Sequence, residues 1–130
     1  MVQREVSRMP VTLGEAKILV LGVAFKKDVD DTRHAPALKV MELLHADGAK
    51  NVSYNDPHVA DVWFDGQHLR SQPLTQALLK KSDCVLITTD HSDYDYEFIV
   101  ANSQRVIDTR NATKNVKKHR ERIVLLGDGK

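Results

Sequence analysis

Short apolar runs rich in β-branched residues alternate with short helical stretches along the whole chain, and this alternation constrains the fold more than any other feature. Lys17-Ile-Leu-Val-Leu-Gly-Val-Ala24 is apolar at consecutive positions rather than at every second one. A strand of that kind is buried on both faces, as inside a parallel sheet covered by helices. Cys84-Val-Leu-Ile-Thr-Thr89 has the same character. Asn51-Val-Ser-Tyr-Asn-Asp56, Arg105-Val-Ile-Asp108 and the terminal Ile123-Val-Leu-Leu126 read as further strands. A helix starts near Pro36, since proline suits a first turn. It carries Leu38, Met41, Leu43 and Leu44 as its apolar stripe and stops at Gly48. Residues 74–80 and 94–102 read as two shorter helices, the second carrying Phe98 and Ile99, whereas 58–73 has no clean period and reads as irregular. Strands alternating with helices predict βαβ units, and hence a single α/β domain of three layers built on a doubly wound, mostly parallel sheet.

The 130 residues match one ordinary domain, read as a lead-in over 1–16 followed by the folded unit over 17–130. Lys and Arg number 19 and Asp and Glu 18, a net charge of +1, so the basic footprint of a dedicated nucleic-acid binder is missing. A single cysteine excludes an intramolecular disulfide and a four-cysteine zinc site, which points to a reducing, cytoplasmic setting. No apolar run approaches the roughly 20 residues that span a bilayer, so no membrane partner is expected.

In doubly wound sheets ligands bind beyond the carboxyl ends of the strands, where the strand order reverses. Two segments fall at that edge. The first, Phe25-Lys-Lys-Asp-Val-Asp-Asp-Thr-Arg33, follows the first strand and holds Lys26, Lys27 and Arg33; the second, Thr109-Arg110-Asn111, follows the fourth. Cations converging there suit an anion such as a phosphate or diphosphate, with lysine as a point charge and arginine gripping two oxygens at once. A solvated charged turn is the plainer reading of the same residues. Asp28, Asp30 and Asp31 fit partners of those cations; they could also bind Mg²⁺, but no further carboxylate set accompanies them and no metal site is assigned.

Several motifs are missing. Gly22 is followed by Val-Ala-Phe, so the G-x-G-x-x-G dinucleotide loop lacks its later glycines, and no Walker A, H-E-x-x-H or G-x-S-x-G occurs. Cys84 lies within an apolar strand and reads as a buried hydrophobe rather than a nucleophile. His34, His45, His58, His68, His91 and His119 show no paired ligand spacing and read as surface or loop residues. The basic tail with Lys117, Lys118, Arg120 and Arg122 reads as a solvated helix or turn.

Two stretches carry a family resemblance. Gly22-Val-Ala-Phe-Lys-Lys-Asp-Val-Asp-Asp-Thr-Arg-His-Ala-Pro-Ala37 and Val106-Ile-Asp-Thr-Arg-Asn111 resemble two signatures of the C-terminal, UDP-binding domain of UDP-glucose/GDP-mannose dehydrogenases. The similarity is colinear over about residues 17–112. Thr89-Asp-His-Ser-Asp-Tyr-Asp-Tyr96 and Tyr54-Asn-Asp-Pro-His58 are similar to the branch acting on UDP-N-acetylglucosamine. The resemblance implies a Rossmann-like fold and a place in an enzyme that oxidises C6 of a nucleotide-sugar from alcohol to carboxylate in two NAD-dependent steps. It implies that Phe25, Lys26 and Arg110 contact the UDP-sugar and that Arg33 reaches NAD across a cleft. NAD itself would be held mainly by an N-terminal domain; that domain, a central domain and the family's catalytic cysteine have no counterpart in this sequence. The chain is therefore expected to bind a UDP-sugar and to work with the remaining domains of the enzyme, but to supply no catalytic residue. One departure is Ala35, where the family often has serine, a better N-cap.

Two other functions remain open on sequence alone. One is a freestanding nucleotide-binding or regulatory α/β domain. The other is a receiver-like phosphoacceptor, because Asp56 ends a strand; no acidic pair follows the first strand directly, which counts against it.

Overall fold

Five parallel strands form the centre of the computed structural model, which describes residues 14–23, 36–64 and 66–125. The chain-order elements are β1 (Lys17–Leu21), α1 (Pro36–Ala46), β2 (Asn51–Asn55), β3 (Asp61–Phe64), β4 (Gln67–Arg70), α2 (Gln76–Lys81), β5 (Cys84–Ile87), α3 (Tyr96–Asn102), β6 (Val106–Asp108) and β7 (Ile123–Leu125). The sheet order is β2-β1-β5-β6-β7, and every neighbouring pair is parallel. The chain thus starts in the interior, winds outward through β2, then crosses β1 to build the other half. That is the doubly wound arrangement the alternation predicts, with its reversal point between β1 and β5.

Side-chain parity explains the layers. Successive residues of a strand face opposite sides. Ile18, Val20, Cys84, Leu86 and Ile107 face one side and pack with Ala37, Met41 and Leu44 of α1. Leu19, Leu21, Val85, Ile87 and Val106 face the other side and pack with Leu78 and Leu79 of α2 and Ile99 and Val100 of α3. Both faces are apolar because both are covered, which is why the runs in β1 and β5 are continuous. Full burial of one such aliphatic side chain contributes about 1.5–3 kcal/mol.

The shorter helices depend on their ends. Thr75 Oγ1 accepts the Leu78 N–H at 3.1 Å to start α2, and Asp95 Oδ1 accepts the Phe98 N–H at 3.1 Å to start α3. Ser82 and Ser103 close the two helices by donating to Leu78 O and Ile99 O. Arg122 Nη1 donates to Ala101 O at 2.8 Å and also meets Val100 O and Ser103 O, so a cation sits on the negative end of α3. The basic tail is thus a turn, with a single 3₁₀ segment at Arg120–Arg122, but its arginines serve carbonyls rather than water alone. Arg120 Nη1 donates to Thr113 O at 2.6 Å and Val116 O at 3.0 Å.

Three expectations need correction. Residues 58–73 are not irregular throughout: β3 and β4 form an antiparallel hairpin whose Val62 packs on the α1 side of the core. Leu43 does not belong to the buried stripe of α1; it is 52% exposed, while Met41 and Leu44 turn inward. His91 is not a surface histidine, being fully buried. Cys84 is buried, as its neighbours predict. The segment with Phe25, Lys26, Asp28, Asp30, Asp31, Arg33 and Ala35 lies outside the described residues. No described helix is long and apolar enough to cross a membrane.

Candidate functional site

The carboxyl edge of the sheet is where the sequence places a ligand, and there the ends of β1, β2, β5 and β6 are tied together. The central point is Gly22, just past β1. Its φ is +86°, and a methyl group on it would lie 2.5 Å from Thr89 Cβ, 2.9 Å from Thr89 O and 3.0 Å from Thr89 N. Only glycine permits this close passage of the two diverging loops at the reversal point.

Hydrogen bonds hold Gly22 from both flanks. Its N–H donates to Asn55 O at 2.9 Å, continuing the β1–β2 ladder by one residue. On the other flank Thr88 N–H donates to Leu21 O at 3.0 Å, and Thr88 Oγ1 donates to Gly22 O. Thr88 also serves the loop after β6. Its carbonyl accepts from Arg110 Nε at 3.1 Å. Arg110 is exposed, and among the described residues its two Nη groups meet no acceptor. The guanidinium is therefore fixed through Nε at the sheet edge, with the pair of amino groups that can grip an oxyanion unused by the described residues.

The position of Arg110 depends on Asp108, the buried last residue of β6. Asp108 Oδ1 accepts the N–H groups of Arg110 at 3.0 Å and Ala112 at 3.1 Å. Its Oδ2 accepts Thr113 N–H at 2.8 Å and Thr113 Oγ1 at 2.6 Å. One carboxylate thus supplies the acceptors that the turning backbone needs, and Asn111 completes the turn at φ +55°. Thr109 Oγ1 donates to Ile87 O at 2.7 Å, tying the same loop to β5.

Across the edge, Asp56 ends β2 and is buried. Oδ2 accepts Val23 N–H at 2.8 Å and meets His91 Nε2 at 2.9 Å, while Oδ1 accepts His58 N–H at 2.8 Å. Neither Asp56 nor His91 has an exposed side chain. Such a carboxylate cannot present itself to a phosphoryl donor, which removes the receiver-like reading. Tyr94 OH donates to Asn55 O at 2.7 Å, and Tyr54 OH donates to Val59 O at 3.0 Å. Burial, and then the nearby carboxylates Asp61 and Asp56, push the Tyr54 phenol up to about 12. Burial, followed by Asp56, raises Tyr94 further above the ordinary tyrosine value.

Of the sequence-predicted binding residues, the structure places Arg110 at the expected edge; Phe25, Lys26 and Arg33 lie outside the described residues. It adds Thr88, Asp108 and His91, which sequence reading did not assign to a site, and gives Asp56, read from sequence as a candidate phosphoacceptor, a buried structural role instead. Their signal was positional, since Asp56, Thr88 and Asp108 each stand at or just past the end of a parallel strand.

The family profile described as the UDP-glucose/GDP-mannose dehydrogenase family, UDP-binding domain, matches residues 19–115, which include Gly22, Asp56, Thr88 and Arg110. The chain belongs to this dehydrogenase family. UDP-glucose 6-dehydrogenase 4 of Arabidopsis thaliana is 34% identical over 149 residues, covering 92% of this chain and 31% of that protein. UDP-N-acetyl-D-mannosamine dehydrogenase of Pyrococcus horikoshii is 34% identical over 105 residues, covering 77% of this chain and 23% of its own length. The solved structure of a UDP-D-ManNAc dehydrogenase from the same archaeon superposes with a TM-score of 0.72 at 27% identity, over 98% of this chain and 29% of that one. The dehydrogenase-family chain described here thus spans about a third or less of these relatives.

The turn from β1 to α1, where a dinucleotide pyrophosphate would sit, lies outside the described residues beyond Val23. At its start Thr89 packs on Gly22, and both flanks of Gly22 are hydrogen-bonded. No described cluster of three His, Cys, Asp or Glu could hold a metal ion.

Proposed function

We propose that this chain is the nucleotide-sugar-binding part of an NAD-dependent UDP-sugar 6-dehydrogenase, which oxidises the C6 alcohol of its substrate to a carboxylate. The observation that carries the reading is the placement of Arg110. It stands at the carboxyl edge of a doubly wound sheet, fixed by Nε on Thr88 O beside the reversal point, with its Nη pair unengaged among the described residues. The relatives named for UDP-glucose and UDP-N-acetyl-D-mannosamine support a UDP-linked sugar as the ligand class.

In this reading Arg110 grips the diphosphate with its Nη pair. Lys26, three residues beyond Val23, supplies the second positive charge, and Phe25 packs on the nucleotide-sugar. The Gly22–Thr88–Arg110 chain of contacts ties the ends of β1 and β6 to one edge of the sheet, which supports assigning Lys26 and Arg110 to one ligand. The binding of NAD and the hydride chemistry are assigned to the rest of the enzyme, and this chain contributes only Arg33 toward the nicotinamide cofactor. The chain alone binds and does not catalyse.

The test is a UDP titration by calorimetry at low and high salt. A charge-assisted contact to phosphate contributes about 1.5–3 kcal/mol, equivalent to about ten- to a hundredfold in affinity. Lys26→Ala and Arg110→Ala should each weaken binding on that scale, and high salt should compress the difference. Arg110→Lys should also weaken it, because an ammonium cannot grip two oxygens. Arg33→Ala should leave UDP affinity unchanged. Wild-type affinity in both alanine variants would place the site elsewhere.

A further inference from the structure

We propose that the amino edge of the sheet carries a second anion site, formed by Lys17, Lys50 and Lys81 and suited to a diphosphate group. It lies at the opposite end of the strands from Arg110. Lys17 opens β1 and Gly22 follows its last residue, so the two edges stand about 16 Å apart at the rise of a strand.

A groove of about 360 Å³ opens between the start of β2 and the end of α2. Three lysines line it and no carboxylate does. All three are exposed, and among the described residues none of their ammonium groups makes an ion pair or a hydrogen bond. Asp83, just past α2, turns Oδ2 to the Lys17 N–H at 2.8 Å instead. A lysine in the last turn of a helix ordinarily serves the open carbonyls there. In α2 other donors do so: Ser82 Oγ donates to Leu78 O at 2.7 Å, Ser82 N–H to Leu79 O at 3.3 Å and Gln104 Nε2 to Lys80 O at 3.0 Å. The Lys81 ammonium therefore has no capping duty.

The floor of the groove supplies further donors. Ser53 stands in register with Leu19, which is buried in the α2 layer, so parity puts the serine on the same side of the sheet. Ser53 is half-buried, and its hydroxyl has no hydrogen-bond partner among the described residues. β2 is also an edge strand of the five-stranded sheet. Asn55 O accepts Gly22 N–H on the β1 side, whereas Tyr54 O accepts Gln72 N–H at 2.8 Å on the outer side. By the same alternation Val52 turns its backbone outward, and its N–H meets no acceptor among the described residues. Ammonium, amide and hydroxyl groups thus border one hollow, and each can donate to oxygen. The choice of lysine sets the ligand class. An ammonium is a point charge that suits phosphate oxygens from any direction, whereas a planar carboxylate is matched by the fork of arginine, which the groove lacks. Three ammonium groups exceed what one phosphate neutralises and match a diphosphate, either free or attached to a nucleoside.

The experiment titrates inorganic pyrophosphate and UDP separately into the 130-residue chain at constant ionic strength and follows amide chemical shifts by NMR. Pyrophosphate should move the amides of Lys17, Val52, Ser53 and Ser82 saturably. Lys50→Gln and Lys81→Gln should each weaken that binding about two- to fivefold, the range of an exposed charge pair, and the double variant about tenfold. Both side chains are exposed, so the variants keep the core intact. Lys39→Gln removes the same charge from an exposed position on α1 outside the groove and should leave the affinity unchanged. Equal losses in Lys39→Gln and Lys81→Gln would reduce the effect to overall charge and overturn the proposal. So would the lack of any saturable shift at the amino edge, or pyrophosphate shifts confined to Arg110, Ala112 and Thr113. UDP identifies the source of the diphosphate. Groove shifts with UDP as well as pyrophosphate assign the site to a nucleoside-borne diphosphate, and groove shifts with pyrophosphate alone assign it to the free anion. The carboxyl edge is read from different amides, so failure of UDP to bind beside Arg110 would sink the functional reading and leave the amino-edge result standing.

Discussion

Replacing Gly22 by alanine tests whether the reversal point of the sheet is as tight as its geometry requires. Two costs combine there. At φ +86° an L-residue is in the left-handed region, which costs about 1–2 kcal/mol. Alanine also restricts the unfolded chain, which offsets about 0.4–1 kcal/mol of that. The second cost is steric. The new methyl would stand 2.5 Å from Thr89 Cβ and 2.9 and 3.0 Å from Thr89 O and N. These are backbone and near-backbone atoms next to Thr88, whose N–H is bonded to Leu21 O, so the neighbour cannot swing aside as a flexible side chain would, and overpacking of this kind costs about 1–3 kcal/mol. Gly48 provides the control. Its φ is +106°, and nothing lies within 4 Å of a methyl placed on it, so Gly48→Ala carries the conformational cost alone. Urea unfolding of both variants should show about 1 kcal/mol lost for Gly48→Ala and about 2–4 kcal/mol for Gly22→Ala, the difference being the close approach to Thr89. Equal losses in the two variants would show that the loops after β1 and β5 do not press on each other, and the account of the closed reversal point would fall with them.

Other outcomes follow from individual groups. Asp108→Ala removes the acceptor of four donors, so it should lower stability by about 3 kcal/mol or more and weaken UDP binding with it, whereas Asp108→Asn should lose less of both, as read by thermal unfolding and calorimetry. Cys84 should resist a thiol reagent in the native protein and react once denaturant opens the sheet; fast stoichiometric labelling without unfolding would contradict its burial. Tyr54 and Tyr94 hold their protons more tightly folded than unfolded, so the unfolded chain loses protons first above pH 10. Stability should therefore be intact below pH 10 and fall as pH rises toward 12, and Tyr54→Phe should flatten that fall in denaturant titrations at stepped pH.

The core strands were legible because their burial is two-sided. In β1 and β5 every apolar residue after the first position has somewhere to go, so the run is continuous and needs no period to be recognised. The hairpin was missed for the opposite reason. It packs through Val62 and partly through Leu69, while Trp63 is 68% exposed and stacks on His68, so hydrophobicity marks the wrong residue. The turn chemistry was the better guide: Asp65-Gly66 between two short runs is a two-residue hairpin signal, and Gly66 has the positive φ of +73° such a loop needs. On α1 a helical stripe was drawn through adjacent Leu43 and Leu44, but residues one apart differ by about 100° around a helix and only Leu44 reaches the sheet.

The site divides along a different line. Arg110 could be read from sequence because a cation past the end of a parallel strand has few structural duties, and its position alone suggests an anion. The roles of Asp56, Asp108 and His91 could not, because their partners are backbone amides or groups that the loops bring to them. Asp56 and His91 are 35 residues apart, and Asp56 reaches Val23 over 33. No spacing rule detects such a pair; only the strand order β2-β1-β5 brings the ends of β2 and β5 to either side of β1. A lone histidine in a polar loop reads as solvated until the topology shows the loop folding back over a buried carboxylate. The same order explains why Thr88 can serve two loops at once. It follows β5, which lies between β1 and β6, so its hydroxyl reaches Gly22 O on one side and its carbonyl meets Arg110 Nε on the other. The carboxyl edge is thus assembled by strand neighbours rather than sequence neighbours, and the residues that support it become visible only once the winding of the sheet is known.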